Sequence, residues 1–500
     1  MKTTLLRQEF PKAISRWGVP LAILAFLWLT RSNEVTLAQF SLALFLTYVP
    51  WHSYLAWKKA EESDLPIFSM ISFMYCLYYV MPLFWEPHTI SELNAPLGRE
   101  LSESSVTKAM LMVVVGVSSL WLGMRIGLGR LFAPRRLSFE VPRSRWHYIR
   151  AILVVGCLLN IYDISPYSLG EGGRQLMNLL LAVVPMLAFA ILFRSYLRRD
   201  ITHVDRILML AFVVSRLVNG LSSGWLGVSM SLILICGVIY IAERRRIPQI
   251  ALVLIVLFIL FFQVGKEDFR KTYWQQGSQG MTEAVTEGGK IERATFWVRR
   301  SFEKWGTAWD DPTGQTLKDA IIPSVSRVSL LNQTANVIDL TPSVVPYQYG
   351  QLYSYLGVTL IPRAFWPEKP SISEANQFYQ VAYGLTSEDQ LSQVSIAVGT
   401  LTEAFINFSW AGVVGVMFLM GVFFDLYRRA FFSPTSGSLM GAIGVVLLPQ
   451  MISIESQMAV YLGGIIQHVL FTLLIFLPVM KLKRPAKPVA PVGALIKVAN

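Results

Sequence analysis

Apolar runs of about 17–25 residues recur along the chain, and each is long enough to carry an α-helix across a bilayer. The pattern predicts spans near 17–30, 37–57, 65–85, 109–128, 151–161, 176–193, 207–220, 225–242, 249–264, 412–427, 438–453 and 460–480. The expected fold class is therefore an all-α polytopic membrane protein with about 12 transmembrane helices. One stretch breaks the rhythm. Between Lys266 and Ala411 no full span occurs, although "IERATFWVRRSFEKWGTAW" shows helical periodicity. In the same stretch "YGQLYSYLGVTLIPRAFWP" is aromatic enough to lie in the membrane interface or re-enter the bilayer. The expected organisation is a membrane domain of about nine spans over 1–264, one large outer loop over 265–411, three more spans over 412–480, and a tail over 481–500. The tail "RPAKPVAPVG" reads as a solvated Pro/Lys-rich end, and no internal repeat is evident.

Composition agrees with the pattern. Of the 500 residues 53% are hydrophobic and 15% charged, where soluble proteins carry roughly 25% charged residues. Mean hydropathy is +0.47. No small-residue cleavage site follows the first apolar run, so that run is expected to be a retained span.

The charge of +12 sets orientation. With the N-terminus inside, the predicted cytoplasmic segments hold 27 of the 44 lysines and arginines, and both termini are expected to face the cytoplasm. Clusters such as "RRLSFEVPRSR" and "ERRR" suit anionic lipid. They lack the aromatic interleaving of a nucleic-acid surface, so no nucleic-acid partner is expected. Cys76, Cys157 and Cys236 stand at unrelated spacings, and the five histidines form no HExxH pair. Neither a disulfide framework nor a metal-dependent mechanism is supported, and no cofactor is expected.

The outer loop carries the candidate chemistry. It holds 12 basic and 15 acidic residues, and loops of such length are usually functional. "VGKEDFRKTYW" places Lys266, Asp268 and Arg270 just after a span, and Arg327 lies in the middle. "LIPRAFWPEKP" places Arg363, Trp366, Glu368 and Lys369, and "GTLTEAFINFSWAG" places Glu403 and Asn407 before the next span. Two loop ends anchored at one membrane surface would bring these groups together. Arginine by its planar fork and lysine as a point charge would then hold a diphosphate. A carboxylate in a partly dry site would serve as general base, because desolvation raises its pKa towards neutrality. The prolines of the 360–370 element would hold Arg363 and Lys369 rigid beside an anion.

Plainer readings exist for the same residues. Lys266, Arg270 and Lys271 suit snorkelling to lipid headgroups, Arg299 and Arg300 a solvated or interfacial helix face, and Phe365 with Trp366 an interfacial anchor. Glu403 suits a helix cap, with Asp268 and Glu368 as rival bases. Arg216, in "SRLVNGLSSGWLG" at the outer end of a span, is harder to set aside, since arginine at membrane depth is expensive.

"IPRAFWPEKP", followed by "GTLTEAFINFSWAGVVGVMFLMG", resembles the Wzy-type O-antigen and exopolysaccharide repeat-unit polymerases, over about Gly350 to Gly421. The Gly-Ser-Arg of many relatives is absent at Arg216. The resemblance implies a polytopic, lipid-carrier-dependent (GT-C-like) glycosyltransferase of the bacterial inner membrane, independent of metal, working on the periplasmic face. Its substrate would be undecaprenyl-diphosphate-linked oligosaccharide. The bilayer, and the flippase and chain-length regulator of the same pathway, would be its partners. Glu403, Arg363 and Asp268 would be the catalytic candidates. Arg327, Lys369, Arg270, Arg216, Trp366, Asn407, Lys266 and Tyr353 would be the substrate-binding ones. An O-antigen ligase-like transferase and a lipid-linked oligosaccharide flippase are the competing classes. The outer loop contains no histidine, unlike the ligase pattern, and neither repeat symmetry nor mid-bilayer charge points to a transporter.

Overall fold

A computed structural model of the chain describes residues 2–482 apart from 61–64, 93–94, 133–138, 163–182, 277–281, 285–287, 311–324, 326–327, 360, 362–365, 367, 369, 371–373, 392–395, 397 and 433–437. Among the described residues the fold is all-α, with sheet confined to two-stranded pieces. The main helices are α1 (Lys2–Leu29), α2 (Leu37–Lys59), α3 (Ile67–Trp85), α4 (Glu103–Ile126), α5 (Trp146–Ile161), α6 (Val184–Leu197), α7 (His203–Ser223) and α8 (Leu226–Arg244). They continue with α9 (Gln249–Gln263), α10 (Lys266–Tyr273), α11 (Lys290–Trp309), α12 (Leu331–Leu340), α13 (Glu374–Ala382), α14 (Thr400–Phe432), α15 (Ser438–Met451) and α16 (Met458–Phe476).

Local chemistry starts and stops these helices. Thr36 and Gln39 form a capping box at the head of α2, and Thr202 with Asp205 does the same for α7. Helix α4 begins on the Ser102 side chain and ends at Gly127, whose φ of +73° a side chain would resist.

Among the described residues five helices are long and apolar enough to cross a membrane: α3, α4, α8, α14 and α16. The pair α9 and α10, bent by 48°, makes a sixth if it counts as one broken span. This differs from the twelve spans expected, for reasons visible in the helices. Helix α5 has only 16 residues, and α7 carries Asp205, Arg206, Arg216 and Asn219. Helix α6 has 14 residues, of which Val184 to Leu192 are all buried. Burial on that scale places the described part of α6 inside the bundle rather than against lipid.

The tightest crossing joins α4 to α14. A Cβ on Gly123 would run into the Phe418 carbonyl, and one on Gly421 would run into that of Leu120. The two backbones meet across small residues, the usual way for helices to pack where lipid offers no hydrophobic drive.

One large hydrophobic cluster links α3, α4, α6, α14, α15 and α16, and it takes in residues of the predicted outer loop. Helix α12 buries Leu331, Ala335 and Val337 completely within it. Arg99 on the hairpin Thr89–Glu92/Ala95–Glu100 pairs with Asp339 at 3.0 Å, and Asn332 donates to the Pro87 carbonyl at 2.9 Å. A second cluster gathers Leu226, Phe262, Phe269 and Trp297. Residues of the 265–411 segment are thus divided between two packing units.

Candidate functional site

Helix α14 is broken at Phe408 (φ −139°) and Ser409 (φ +56°), which makes residues 400–407 a short helix of their own before the long apolar stretch. Its inward face carries Glu403, completely buried. The Glu403 Oε2 accepts a hydrogen bond from the Met458 N–H at 2.6 Å, the first amide of α16, which the Gln457 side chain does not cap. A carboxylate is favoured at a helix N-terminus, and Glu403 lies in the first turn of one helix and against the start of another. Its second oxygen, Oε1, has no hydrogen-bond partner among the described residues. A buried polar atom left unpaired is expensive, so this oxygen marks a place for a polar group from elsewhere.

Tyr353, in the turn Gln351–Ser354, lies within electrostatic reach of Glu403. Its hydroxyl is likewise buried without a hydrogen-bond partner. Burial, and secondarily the charge of the Glu403 carboxylate, push the Tyr353 phenol above its ordinary value, so the hydroxyl keeps its proton to donate. Asn407 holds the platform that carries Tyr353. Its Nδ2 donates to the Glu403 backbone carbonyl at 2.9 Å, and its Oδ1 accepts from the Gly350 N–H at 3.0 Å. The Tyr349 N–H closes the clamp on the Asn407 carbonyl at 3.0 Å. Gly350 turns with φ +92°, where a Cβ would come within 2.9 Å of the Phe408 ring. The Asn407 amide is therefore spent on backbone. Asn407 is a positioning residue.

Residues on either side of the 360–370 stretch bond to α16 and its cap residue. Before it, the Thr359 carbonyl accepts from Gln467 Nε2 at 3.1 Å. After it, the Asn376 N–H donates to Gln457 Oε1 at 2.8 Å, one residue before the amide that Glu403 holds. Trp366 is partly exposed, at 39%, and Glu368 is exposed. Arg327, Arg363 and Lys369 lie outside the described residues.

Asp268, Lys266 and Arg270 do not join this site. They sit on α10 beside the second hydrophobic cluster, whereas Phe405 and Ile406 next to Glu403 belong to the first. Asp268 accepts from Lys304 at 3.0 Å and pairs with Arg300 at 3.3 Å, so it ties α10 to α11 as an ion-pair partner. Arg270 lies over Trp274 at 4.2 Å and Trp225 at 5.2 Å, a cation between indoles. The expectation that the two ends of the loop converge on one cluster is corrected. The bend after α9 leaves α10 packed beside α11, where Asp268 finds Lys304 and Arg300.

Arg216 forms a third pole, at the junction of α5, α7 and α11. It is 7% exposed, its Nη1 reaches Asn160 Oδ1 only at 3.5 Å, and its Nε has no partner. Lys290 comes to the same group, donating to the Asn160 carbonyl at 2.8 Å and to Asn219 Oδ1 at 3.2 Å. Sequence reasoning passed over Asn160, Asn219 and Lys290. Asn160 had a readable signal, being an amide in an otherwise apolar stretch of α5. Met458, which contributes only a backbone amide, had none.

Among the described residues no group of three or more His, Cys, Asp or Glu is placed to hold a metal ion. What the Glu403 site offers is a dry carboxyl with one oxygen available and a phenol within electrostatic reach. Such a pair can take a proton from a hydroxyl and steady the oxygen that loses it.

Fold and site together define an all-α protein with membrane-length helices and a buried acid where two helix N-termini meet. Residues 144–443 match the family described as Domain of unknown function (DUF8712). That is more than half of the 500 residues, and the chain belongs to this family. The matched stretch contains Arg216, Asp268, Tyr353 and Glu403. No curated protein and no solved structure matches the chain.

Proposed function

We propose that this protein is a bacterial inner-membrane polymerase that joins undecaprenyl-diphosphate-linked oligosaccharide repeat units into a surface polysaccharide. The product would be O-antigen, capsule or exopolysaccharide. The observation that carries the reading is the completely buried Glu403, one carboxyl oxygen of which accepts from the Met458 N–H while the other has no partner among the described residues. In this reading Glu403 takes the proton from the acceptor sugar hydroxyl. The oxygen then attacks the anomeric carbon of the growing chain, and the bond from that carbon to the diphosphate breaks with its electron pair on the leaving group. Arg363, with Arg327 and Lys369, receives the diphosphate. The anchoring of Thr359 and Asn376 on α16 supports this, because the chain on either side of Arg363 is tied to the helix that Glu403 caps.

The finer architecture belongs to the same proposal: both termini in the cytoplasm and residues 266–411 towards the periplasm, as the Lys/Arg asymmetry supports. Single cysteines at Gln275 and Thr313 should then react with an impermeant thiol reagent in cells with a permeabilised outer membrane, and one at Arg136 should not. The function itself is tested by the surface polysaccharide of a strain lacking this gene. Loss of long chains with single repeat units retained supports the polymerase. Unchanged chain length sinks it.

A further inference from the structure

We infer that helix α11 lies along a lipid surface, with one apolar stripe seated at the boundary between headgroups and acyl chains. This does not rest on the proposed activity. Helix α11 has three faces. Arg293, Trp297, Ser301 and Ala308 are buried against the rest of the protein. Glu292, Arg299 and Glu303 form a polar face, on which Arg299 pairs with Glu303 at 2.9 Å. Between these faces, at helical spacing, run Ile291, Val298, Phe302, Trp305 and Trp309. Three of them are largely uncovered: Ile291 at 76%, Phe302 at 63% and Trp309 at 84%.

Continuity says what covers them. The stripe begins where the exposed apolar face of α9 ends. That helix shows Ile250 at 80%, Val253 at 59% and Leu254 at 60%, and with α10 it forms the bent candidate span. The rings of Phe261 and Phe302 meet at 4.8 Å, and Trp305 Nε1 donates to the Phe261 carbonyl at 3.3 Å. A surface facing acyl chains along α9 therefore passes without a break onto α11. A helix with an apolar stripe, terminal tryptophan and a charged opposite side is suited to the interface.

The test uses the full chain with Cys76, Cys157 and Cys236 changed to Ser, in nanodiscs of phosphatidylcholine and phosphatidylglycerol. Nitroxides are attached at Phe302→Cys, Trp309→Cys and Arg299→Cys. At 302 and 309 relaxation by oxygen should exceed that by a water-soluble nickel chelate, and at 299 the order should reverse. Dominance of the nickel chelate at 302 and 309 would overturn the inference in favour of water. Protection there from both reagents would overturn it in favour of a second copy or a protein partner. Should the cysteine-free chain not fold, quenching by brominated lipid is compared between the native chain and Trp309→Phe. The substitution should reduce the quenched fraction, and an unchanged fraction counts against the lipid contact.

Discussion

The side chain of Glu403 caps a helix other than its own, holding the Met458 N–H at 2.6 Å with one oxygen and leaving the other unpaired among the described residues. The two oxygens predict separable losses. Glu403→Gln can still accept from Met458 but cannot take a proton, so chain extension should fall on the order of 10²–10⁴-fold while the thermal midpoint moves little. Glu403→Ala removes the cap as well and should cost about 1.5–3 kcal/mol of stability. Polymer of normal length from membranes containing the Gln variant would reduce Glu403 to a cap. Asp268→Asn is the contrast: its pairs are partly exposed, so about 1 kcal/mol or less should be lost and polymer length kept.

Arg216 predicts the opposite pairing of effects. A buried cation whose one described hydrogen bond is a 3.5 Å contact with an amide burdens the fold. Arg216→Met should leave the unfolding midpoint unchanged or raise it, since replacing a poorly compensated buried charge often stabilises by about 1–4 kcal/mol. If the charge serves the diphosphate, the same variant should make shorter chains. A lower midpoint with normal chains would show the arginine to be structural. Melting in detergent and gel analysis of the polysaccharide give the two readings.

His88 predicts a pH dependence. It lies between α3 and the hairpin, its Nδ1 3.4 Å from Asn332 Oδ1. Burial lowers its pKa, and the bond to Asn332 offsets part of that shift. The folded value thus lies below the unfolded one, which is about 6.5. Above that pH both states are neutral and nothing is lost. As pH falls through it the unfolded chain takes up a proton that the folded chain resists, and stability declines down to the folded value. Melting midpoints between pH of about 7.5 and 5.5 should fall in the native chain and fall less in His88→Gln. Equal slopes would remove His88 as a source.

The α4–α14 crossing predicts a contrast between glycines. Gly123→Ala pushes a methyl into the Phe418 carbonyl and should destabilise by about 1–3 kcal/mol. Gly415, on the same α14, has open space where its Cβ would go. Gly415→Ala should therefore be neutral or stabilise by about 0.5–1 kcal/mol. Unfolding in mixed detergent ranks the two, and equal midpoints would contradict the crossing.

The sequence by itself determined the helical class, the positions of α3, α4, α8 and α16, and the candidacy of Glu403 and Tyr353. Hydrophobic length and period are local properties, readable one window at a time. A lone glutamate beside an apolar run is conspicuous for the same reason. Only the tertiary structure decided that the described part of α6 lies inside the bundle, that Asp268 belongs to Lys304 and Arg300, and that Asn407 braces Gly350. It also brought the amide of Met458 to Glu403, 55 residues away in the chain. These choices depend on which surfaces meet after folding. A backbone N–H leaves no mark in the sequence, and a charge does not announce its partner. That the bend after α9 leaves α10 beside α11, rather than out towards Glu403, depends on the packing of Phe269 and Trp297 in their own small core.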